Sequence, residues 1–437
     1  MLSESKTKEL ADKVVNYSMR IGQKDNPAYI KARKKYRWLD GSFTIRQAVR
    51  TSSLFKARVE EIVKKYSGID YGPLLIKKGN RYTVKKKIGH EVFIAYNAAT
   101  KGLKGEIERA CWKNGAHTLA RELSAKDLQD AALLSPSDSL YELPALTSAT
   151  RKAADYRLYL EAVESEFWAK KIPSSRLKAG ASATQKIHEI EDNKKTRWVL
   201  VGWPHRKSAE ELGIPYNKFS KIMFDTIWCT FEKSTRNLIE RYWRAFNGSR
   251  TIRITANDGT DLTFSVKGRR FLKDDGVLSD EDIRNDDVGM NIPCGEIFIA
   301  PVETSANGHI YYPKTMVRDN GMVYGLMLHF KNGRVIGFSA KKGKNHLVKF
   351  LKENTGEKDR IAEFGIGLNK KAAYTGGDIL IDEKIYKTIH IAIGWNIGFK
   401  GKNKASSHLD FIKPLYDCNG KVYADDRLLI DKGVLIV

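Results

Sequence analysis

Apolar positions follow helical spacing at the start of the chain. Leu10, Val14, Tyr17 and Ile21 recur at intervals that place them on one face of a helix, and residues 44–66 carry a second, less regular run. Lysine and arginine fill the other faces. The pattern predicts a helical, basic N-terminal extension over residues 1–75. We favour a cap on the following domain as its role, and a basic docking arm for nucleic acid or a partner is the alternative.

The next part of the chain alternates between strand and helix signals. Short apolar runs predict strands, and longer segments with apolar residues three or four apart predict helices. The predicted strands lie at 82–98 and 196–204, and the predicted helical segments lie at 104–123, 150–172 and 208–248. This alternation is typical of an α/β domain, which we place at residues 76–248. A Gly-x-Gly-x-x-Gly fingerprint does not follow its first strand, so nothing marks a dinucleotide site.

Beyond Gly248 the pattern becomes β-rich. Two apolar runs flank Asn257-Asp258-Gly259, which is a strong hairpin signal. Similar turns are predicted at 332–333 and 419–420. The expected fold is therefore an α/β N-terminal domain followed by a β-rich α+β domain at residues 249–437, and this second domain carries the candidate metal site.

Composition narrows the classes of protein without choosing among them. The chain has 437 residues, 42% of them hydrophobic, and a formal net charge of +24. Such a charge favours contact with polyanions. However, the basic residues are scattered in short runs without interleaved aromatic residues, so we do not expect specific nucleic-acid binding. A Lys-rich surface is also consistent with the high content of charged residues in heat-adapted proteins.

No run of apolar residues is long enough to predict a membrane span, and the first residues lack an apolar signal core. We therefore expect a cytoplasmic protein without a membrane partner. The four cysteines are far apart in sequence, and buried free thiols are expected for them. Cys294 is singled out because it lies two residues from Glu296 and a thiol can bind soft metals.

Five residues with metal-binding side chains lie on short apolar segments that predict strands. A charged residue inside such a run is costly to bury unless it is paired or binds a metal. These residues are Glu296, Glu363, His390, His408 and Asp410. Taken singly, each has an ordinary structural explanation, such as a turn residue, a core histidine or a hydrogen-bonded pair. Taken together, they favour one shared ion site.

Strand alternation places the side chains of His408 and Asp410 on one face and those of Leu409 and Phe411 on the other. Glu363 is expected to precede a glycine-rich turn at 365–367. Three carboxylates and two imidazoles are too many for one closed tetrahedral zinc site. They suit two divalent ions that share a carboxylate and a water molecule, and Zn, Co or Mn would each accept these ligands.

At these residues the chain resembles the thermophilic-type metalloaminopeptidases, the family of aminopeptidase T and aminopeptidase S. The resemblance rests on ordered segments, with a weaker likeness back to about residue 80. The segments are GTDLTFSVKGRRFLKDDG from Gly259, NIPCGEIFIAPVE from Asn291, AEFGIGLN from Ala362, DEKIYKTIHIAIG from Asp382 and SSHLDF from Ser406. The resemblance implies a homodimeric aminopeptidase that acts on peptides, with the five residues as ligands of two divalent ions.

One departure from the family pattern concerns Ile397. Many members carry a tyrosine seven residues after the motif histidine, where this chain has isoleucine. A missing hydroxyl would remove a donor to the developing oxyanion, and Tyr374 or Tyr386 is a hypothetical replacement.

The expected reaction is attack of metal-bound hydroxide on the first peptide carbonyl, with Glu363 as the catalytic carboxylate that handles the proton or bridges the ions. The alternative function is a nucleic-acid- or ribosome-associated protein on the same fold with weak or no peptidase activity. A hydrolase acting on a different amide is a third hypothesis.

Overall fold

The computed structural model describes residues 2–21, 75–78, 81–84, 90–161, 164–165, 168–285, 287–317 and 320–437. The first helix begins after Ser3, whose side chain accepts a hydrogen bond from the Lys6 amide. Leu10, Val14 and Ile21 are buried, as their helical spacing predicts, whereas Tyr17 is 48% exposed. The second predicted run, at 44–66, lies outside the described residues.

Strands and helices are numbered in chain order. The strands are β1 (Leu75–Lys78), β2 (Arg81–Val84), β3 (Glu91–Tyr96), β4 (His117–Glu122), β5 (Tyr156–Leu160), β6 (Arg197–Val201), β7 (Thr251–Thr255), β8 (Asp261–Ser265), β9 (Leu272–Asp274), β10 (Gly289–Ile292), β11 (Glu296–Ile299), β12 (Asn307–Val317), β13 (Gly321–Lys331), β14 (Arg334–Ser339), β15 (Ile361–Gly367), β16 (Thr388–Gly394), β17 (His408–Pro414), β18 (Lys421–Ala424), β19 (Arg427–Asp431) and β20 (Val434–Leu435). The α-helices are α1 (Glu4–Lys13), α2 (Lys101–Lys113), α3 (Ala125–Leu134), α4 (Ala145–Ala153), α5 (Ser174–Lys194), α6 (Arg206–Glu211), α7 (Tyr216–Thr230), α8 (Lys233–Phe246), α9 (Asp280–Arg284), α10 (Lys344–Glu353) and α11 (Ile379–Asp382).

The N-terminal part contains a parallel five-stranded sheet in the order β10-β6-β5-β3-β4. The helix predicted at 104–123 is wrong at residues 117–122, where β4 forms, and the helix predicted at 150–172 is wrong at residues 156–160, where β5 forms. In β5 the buried residues Tyr156, Leu158 and Leu160 alternate with half-buried ones. This spacing of two places them on one face of a strand, although Tyr156 and Leu160 alone also fit a helix. The sheet also includes β10, which follows the β7–β9 segment in sequence.

The C-terminal part contains two antiparallel sheets. A five-stranded sheet has the order β17-β16-β15-β11-β9, and an eight-stranded sheet has the order β14-β13-β12-β8-β7-β18-β19-β20. One hydrophobic core includes buried side chains from both sheets and from α8. Phe264 of the larger sheet and Phe364 of the smaller one, for example, lie 5.4 Å apart between ring centroids. The smaller sheet therefore has one face on this core and leaves the other face for the candidate site.

Two of the three predicted hairpin turns are confirmed. Residues 257–259 connect β7 to β8, and residues 332–333 connect β13 to β14, and both strand pairs are antiparallel neighbours. The third prediction, at 419–420, is wrong, because β17 and β18 on either side of this turn belong to different sheets.

The predicted fold class is confirmed in its main features, an α/β N-terminal region and a β-rich C-terminal part. Among the described helices, none combines the length and apolar content needed to cross a membrane. All four cysteines carry free thiols, and Cys111, Cys229 and Cys294 are buried.

Candidate metal centre

The five predicted ligands lie on four adjacent strands of the smaller sheet. Glu296 is the first residue of β11, Glu363 lies on β15, His390 on β16, and β17 carries His408 and Asp410. The residues that alternate with them, such as Ile389, Ile391 and Leu409, belong to the hydrophobic core. The five side chains therefore project from the face of the sheet that is opposite the core, as the alternation of β17 predicted.

Each candidate ligand is paired in register with a glycine or an alanine of the neighbouring strand. The pairs are Glu296 with Gly367, Glu363 with Ala392, His390 with Gly365, Asp410 with Ala392, and His408 with Gly394. In an antiparallel sheet, residues directly opposite each other project to the same side and stand close together. Small partners therefore leave space for the larger ligand side chains to meet above the sheet.

Gly365 shows this requirement most directly. A Cβ atom at this position would lie 2.0 Å from Nε2 of His390 and 2.1 Å from its Cε1. The predicted glycine-rich turn at 365–367 is wrong, because these residues belong to β15 and pair with β16. The glycine is needed there because the His390 ring occupies the space of the missing side chain.

The ligand atoms form two groups that share Glu363. The first group contains Glu296, Glu363 and His390, and the second contains Glu363, His408 and Asp410, with the ligand atoms of each group within 4.8 Å of one another. Oε1 of Glu363 lies 3.3 Å from His390 Nε2, whereas its Oε2 lies 3.2 Å from His408 Nε2. The two oxygens of one carboxylate thus face the two groups separately.

The outer members of the groups complete this arrangement. Glu296 Oε2 lies 3.5 Å from His390 Nε2, and Asp410 Oδ1 lies 3.4 Å from His408 Nε2. Both oxygens are buried and have no hydrogen-bond partner among the described residues. A buried carboxylate oxygen without a partner is costly. This donor set of carboxylate oxygens and imidazole nitrogens fits divalent cations. Cys294, which the sequence singled out as a possible soft-metal ligand, belongs to neither group.

The orientation of His408 is fixed from outside the cluster. Its Nδ1 lies 2.7 Å from the carbonyl oxygen of Trp395, so Nδ1–H donates to this carbonyl and Nε2 faces Glu363 and Asp410. The Phe399 ring packs edge-on against the His408 ring, with 5.6 Å between centroids. A hydrogen bond to the distal nitrogen is the usual way in which proteins set the tautomer and direction of a metal-binding histidine.

The electrostatics of the cluster favour positive charge at its centre. Burial raises the pKa of the Glu363 carboxyl, but hydrogen bonds from His390 and His408 outweigh burial and lower this pKa to about 2. Burial opposes protonation of His390, yet its contacts with Glu363 and Glu296 raise its pKa to about 9. For His408, burial again opposes protonation, but Asp410 and Glu363 hold the pKa well above its usual range. The buried carboxylates therefore stabilise any cation placed among them.

A buried lysine beside the cluster was not predicted from the sequence. Lys384 is fully buried, and its Nζ lies 2.6 Å from Glu296 Oε1 and 2.6 Å from Glu383 Oε1. The carboxylate of Asp274 lies 3.7 Å away. Lys384 thus binds one oxygen of Glu296 and leaves the other directed at His390. Its position in the run DEKIYK, next to the strand that carries His390, was the available signal, because a lysine in a buried segment needs acidic partners.

Neither tyrosine proposed as a replacement donor is placed at the centre. Tyr374 is 37% exposed and has the Lys314 ammonium over its ring. Tyr386 packs against the hydrophobic core, on the other side of the sheet. The cavity next to the centre, within the described structure, is lined by Ile397 and by neither tyrosine.

Comparison with known proteins gives consistent results. The model of the thermophilic metalloprotease family (M29) matches residues 68–411. Aminopeptidase AmpS of Bacillus subtilis (strain 168) is 22% identical over 280 residues, which are 55% of this chain and 65% of AmpS. The match thus spans 65% of the length of that curated relative.

Two solved structures share the fold. Wild-type AmpT from Thermus thermophilus superposes with a TM-score of 0.62 and 19% identity, covering 88% of this chain and 100% of AmpT. The 2,5-dihydroxypyridine dioxygenase from Pseudomonas putida KT2440 has a TM-score of 0.53 and 15% identity, covering 89% of this chain and 98% of the dioxygenase. The fold and the family predicted from the sequence are confirmed by these matches. With the family model covering most of its length, the chain belongs to the thermophilic metalloprotease family, M29.

Proposed function

We propose that the protein is a metal-dependent aminopeptidase that removes N-terminal residues from peptides. The proposal is supported by membership of a metalloprotease family, which implies a divalent metal cofactor, and by the likeness to AmpS. The observation that carries it is the placement of Glu363 between two groups of ligand atoms.

Two ions are favoured over one by the divided contacts of Glu363. A carboxylate whose oxygens face different histidines suits a bridge between two ions, with Glu296 and His390 completing one site and His408 and Asp410 the other. Zn, Co and Mn all accept such mixed ligands. Ions bound there would acidify a water molecule and polarise a peptide carbonyl.

The charge of the surrounding network also supports two divalent ions. Within the described structure, the carboxylates of Glu296, Glu363 and Asp410 form the centre, and those of Glu383 and Asp274 share the ammonium of Lys384. Carboxylates therefore outnumber the ammonium and the two imidazoles. A buried excess of carboxylates must be offset by cations or by protonation, and burial raises the pKa of Glu383 to about 8 and that of Asp274 well above its usual range. Divalent ions at the centre would supply positive charge and favour the ionised carboxylates.

The protein's own side chains have separate tasks in this proposal. Lys384 holds Oε1 of Glu296, and the Trp395 carbonyl holds Nδ1 of His408, so each ligand presents its other polar atom to the centre. Glu363 is ionised at neutral pH because its pKa is about 2. We assign Glu363 the bridging role, since both of its oxygens face a histidine.

The central test combines elemental analysis of the purified protein with hydrolysis of matched unblocked and N-acetylated peptides. The proposal predicts about two divalent ions per chain, hydrolysis from the free N-terminus only, and loss of activity on chelation. Equal cleavage of blocked and unblocked peptides would reject an aminopeptidase, because such an enzyme recognises the free amine. Chelator-resistant cleavage would reject metal dependence.

Glu363→Gln separates the two roles considered for this residue. If Glu363 bridges the ions, the variant loses bound metal as well as activity. If it only transfers a proton, the variant keeps its metal while turnover falls by about 10²–10⁴-fold. Circular dichroism controls for the fold. A variant with normal metal content and normal turnover would exclude both roles.

A homodimer and a cytoplasmic location remain proposals that follow from the family resemblance and the sequence. Light scattering coupled to size-exclusion chromatography measures the dimer directly. The alternative of a nucleic-acid-associated protein gains no support from the family match or the site, and it requires RNA affinity that weakens steeply with salt.

A further inference from the structure

A cavity of about 460 Å³ lies beside the candidate metal centre. One wall is the face of the N-terminal sheet that carries Tyr159, Trp198 and Leu200. The opposite wall is formed by residues 377–383 and 395–400 of the C-terminal part. Its size falls in the range that small-molecule sites occupy in proteins, about 300–1,000 Å³.

The cavity is connected to both ligand groups through residues of its wall, although none of the five candidate ligands lines it. Glu383 lines it and accepts a hydrogen bond from Lys384, which also binds Glu296 of the first ligand group. Trp395 lines it as well, and its carbonyl oxygen binds His408 of the second group. A molecule held in this cavity would therefore be separated from His408 by Trp395, and from Glu296 by Glu383 and Lys384.

Part of the lining is apolar on both walls. Trp198 and Leu200 contribute to it from the N-terminal sheet, and Leu380, Trp395 and Ile397 contribute from the C-terminal part. The position of Trp198 is built into the sheet, since a Cβ atom on Gly289 of the neighbouring strand would lie 2.2 Å from the indole ring. The missing side chain of Gly289 makes the space in which this ring stands.

The charged side chains of the wall have partners within the protein. Arg157 pairs with Glu191, and Glu383 pairs with Lys384. Asp378 accepts a hydrogen bond from the Ile381 amide. The remaining charged lining residues, Glu161, Lys195 and Lys400, also have partners. Because Arg157, Glu191 and Glu383 already have counterions, a charged occupant would lose its hydration with little new pairing to these residues, whereas an apolar occupant gains by burial.

We propose that this cavity binds the side chain of the substrate's N-terminal residue and selects large apolar and aromatic side chains. The proposal rests on the proposed function and adds its substrate class. Ile397 stands on the wall formed by the 395–400 segment and is half-buried, so a larger residue there would narrow the cavity from its C-terminal side.

The test compares the amides of phenylalanine, leucine, alanine, glutamate and lysine as substrates of the metal-loaded protein. We expect kcat/KM for phenylalanine and leucine amides to exceed that for the other three by at least about 10-fold, the discrimination that apolar pockets typically achieve. Ile397→Trp should lower kcat/KM for phenylalanine amide about 10-fold more than for alanine amide. Ile336→Trp is the matched control, because Ile336 is 64% exposed on β14 and lies outside the cavity wall.

Binding is measured separately by calorimetry with L-phenylalaninol and L-alaninol, which cannot be hydrolysed. Their amine and hydroxyl groups are the same, so tighter binding of phenylalaninol to the wild type, lost in Ile397→Trp, reports the side-chain cavity alone. If no amide is hydrolysed but this difference is found, the proposed function fails and the cavity assignment stands. If amides are hydrolysed with glutamate or lysine preferred, or Ile397→Trp affects all amides equally, the cavity assignment is overturned and the function stands.

Discussion

Gly365→Ala is a single-atom perturbation of the candidate centre. The new Cβ atom would lie 2.0 Å from Nε2 of His390, whereas ordinary van der Waals contact begins near 3.4 Å. The imidazole must therefore retreat by about 1.4 Å, or the backbone must move by a similar amount. Either shift separates His390 from Glu363 Oε1, which now lies 3.3 Å away.

The expected result is selective damage to one ligand group. The group of Glu296, Glu363 and His390 should lose its ion, while the group that includes His408 keeps its own, so elemental analysis should show about one ion fewer per chain. A displacement of about 1 Å typically costs about 10²-fold in turnover, and overpacking costs about 1–3 kcal/mol of stability. Both are measured on the purified variant, by peptide hydrolysis and by urea unfolding.

Gly337→Ala is the matched control. Gly337 also lies on a strand, β14, but a Cβ atom there would meet nothing within 4 Å. A double variant tests the steric cause, because His390→Ala removes the ring and should reduce the stability cost of Gly365→Ala. Full metal content and normal turnover in Gly365→Ala would refute the placement of His390.

Two further predictions concern buried ionisable groups outside the ligand set. Lys384→Met should lower the free energy of unfolding of the chelator-treated protein by about 3–5 kcal/mol, because its buried carboxylate partners lose their cation. Lys413→Met should reduce the free energy of unfolding by less, because Lys413 is also fully buried but pairs with only one carboxylate, Asp258, and one carbonyl. Equal urea midpoints for the two variants would contradict this. Burial lowers the pKa of His205 to about 4, although a backbone hydrogen bond opposes the shift. Between pH 6.5 and pH 4 the unfolded chain therefore binds more protons than the folded chain, so the free energy of unfolding decreases as the pH is lowered. The decrease from pH 8 to pH 5 is about 2 kcal/mol. His205→Gln keeps a hydrogen-bond partner for Asn97 and should remove this part of the pH dependence in urea unfolding; an unchanged slope would contradict the assignment.

The sequence predicts what depends on local pattern. Alternation correctly places His408 and Asp410 on one face of β17, with Leu409 in the core. The glycine-containing turns at 257–259 and 332–333 are also local signals, because their backbone geometry depends on those residues.

The features that the sequence did not predict depend mainly on pairing between residues far apart in the chain. Residues 365–367 resemble a turn in isolation, and only the register with β16 shows that Gly365 makes space for His390. The partners of Lys384 come from positions as distant as Asp274, so its buried network follows from the assembled sheet. Strand β4 has no buried residue, so its sequence lacks the apolar alternation that distinguishes a strand from a helix.

The proposed function requires two cations bound side by side on the smaller sheet. Anomalous X-ray diffraction from crystals of the metal-loaded protein, collected at the absorption edge of the bound metal, locates such ions directly. We predict two peaks about 3.5–4 Å apart, one beside Glu296 and His390 and one beside His408 and Asp410, with Glu363 between them. A single peak away from Glu363, or peaks at unrelated residues, would contradict the account.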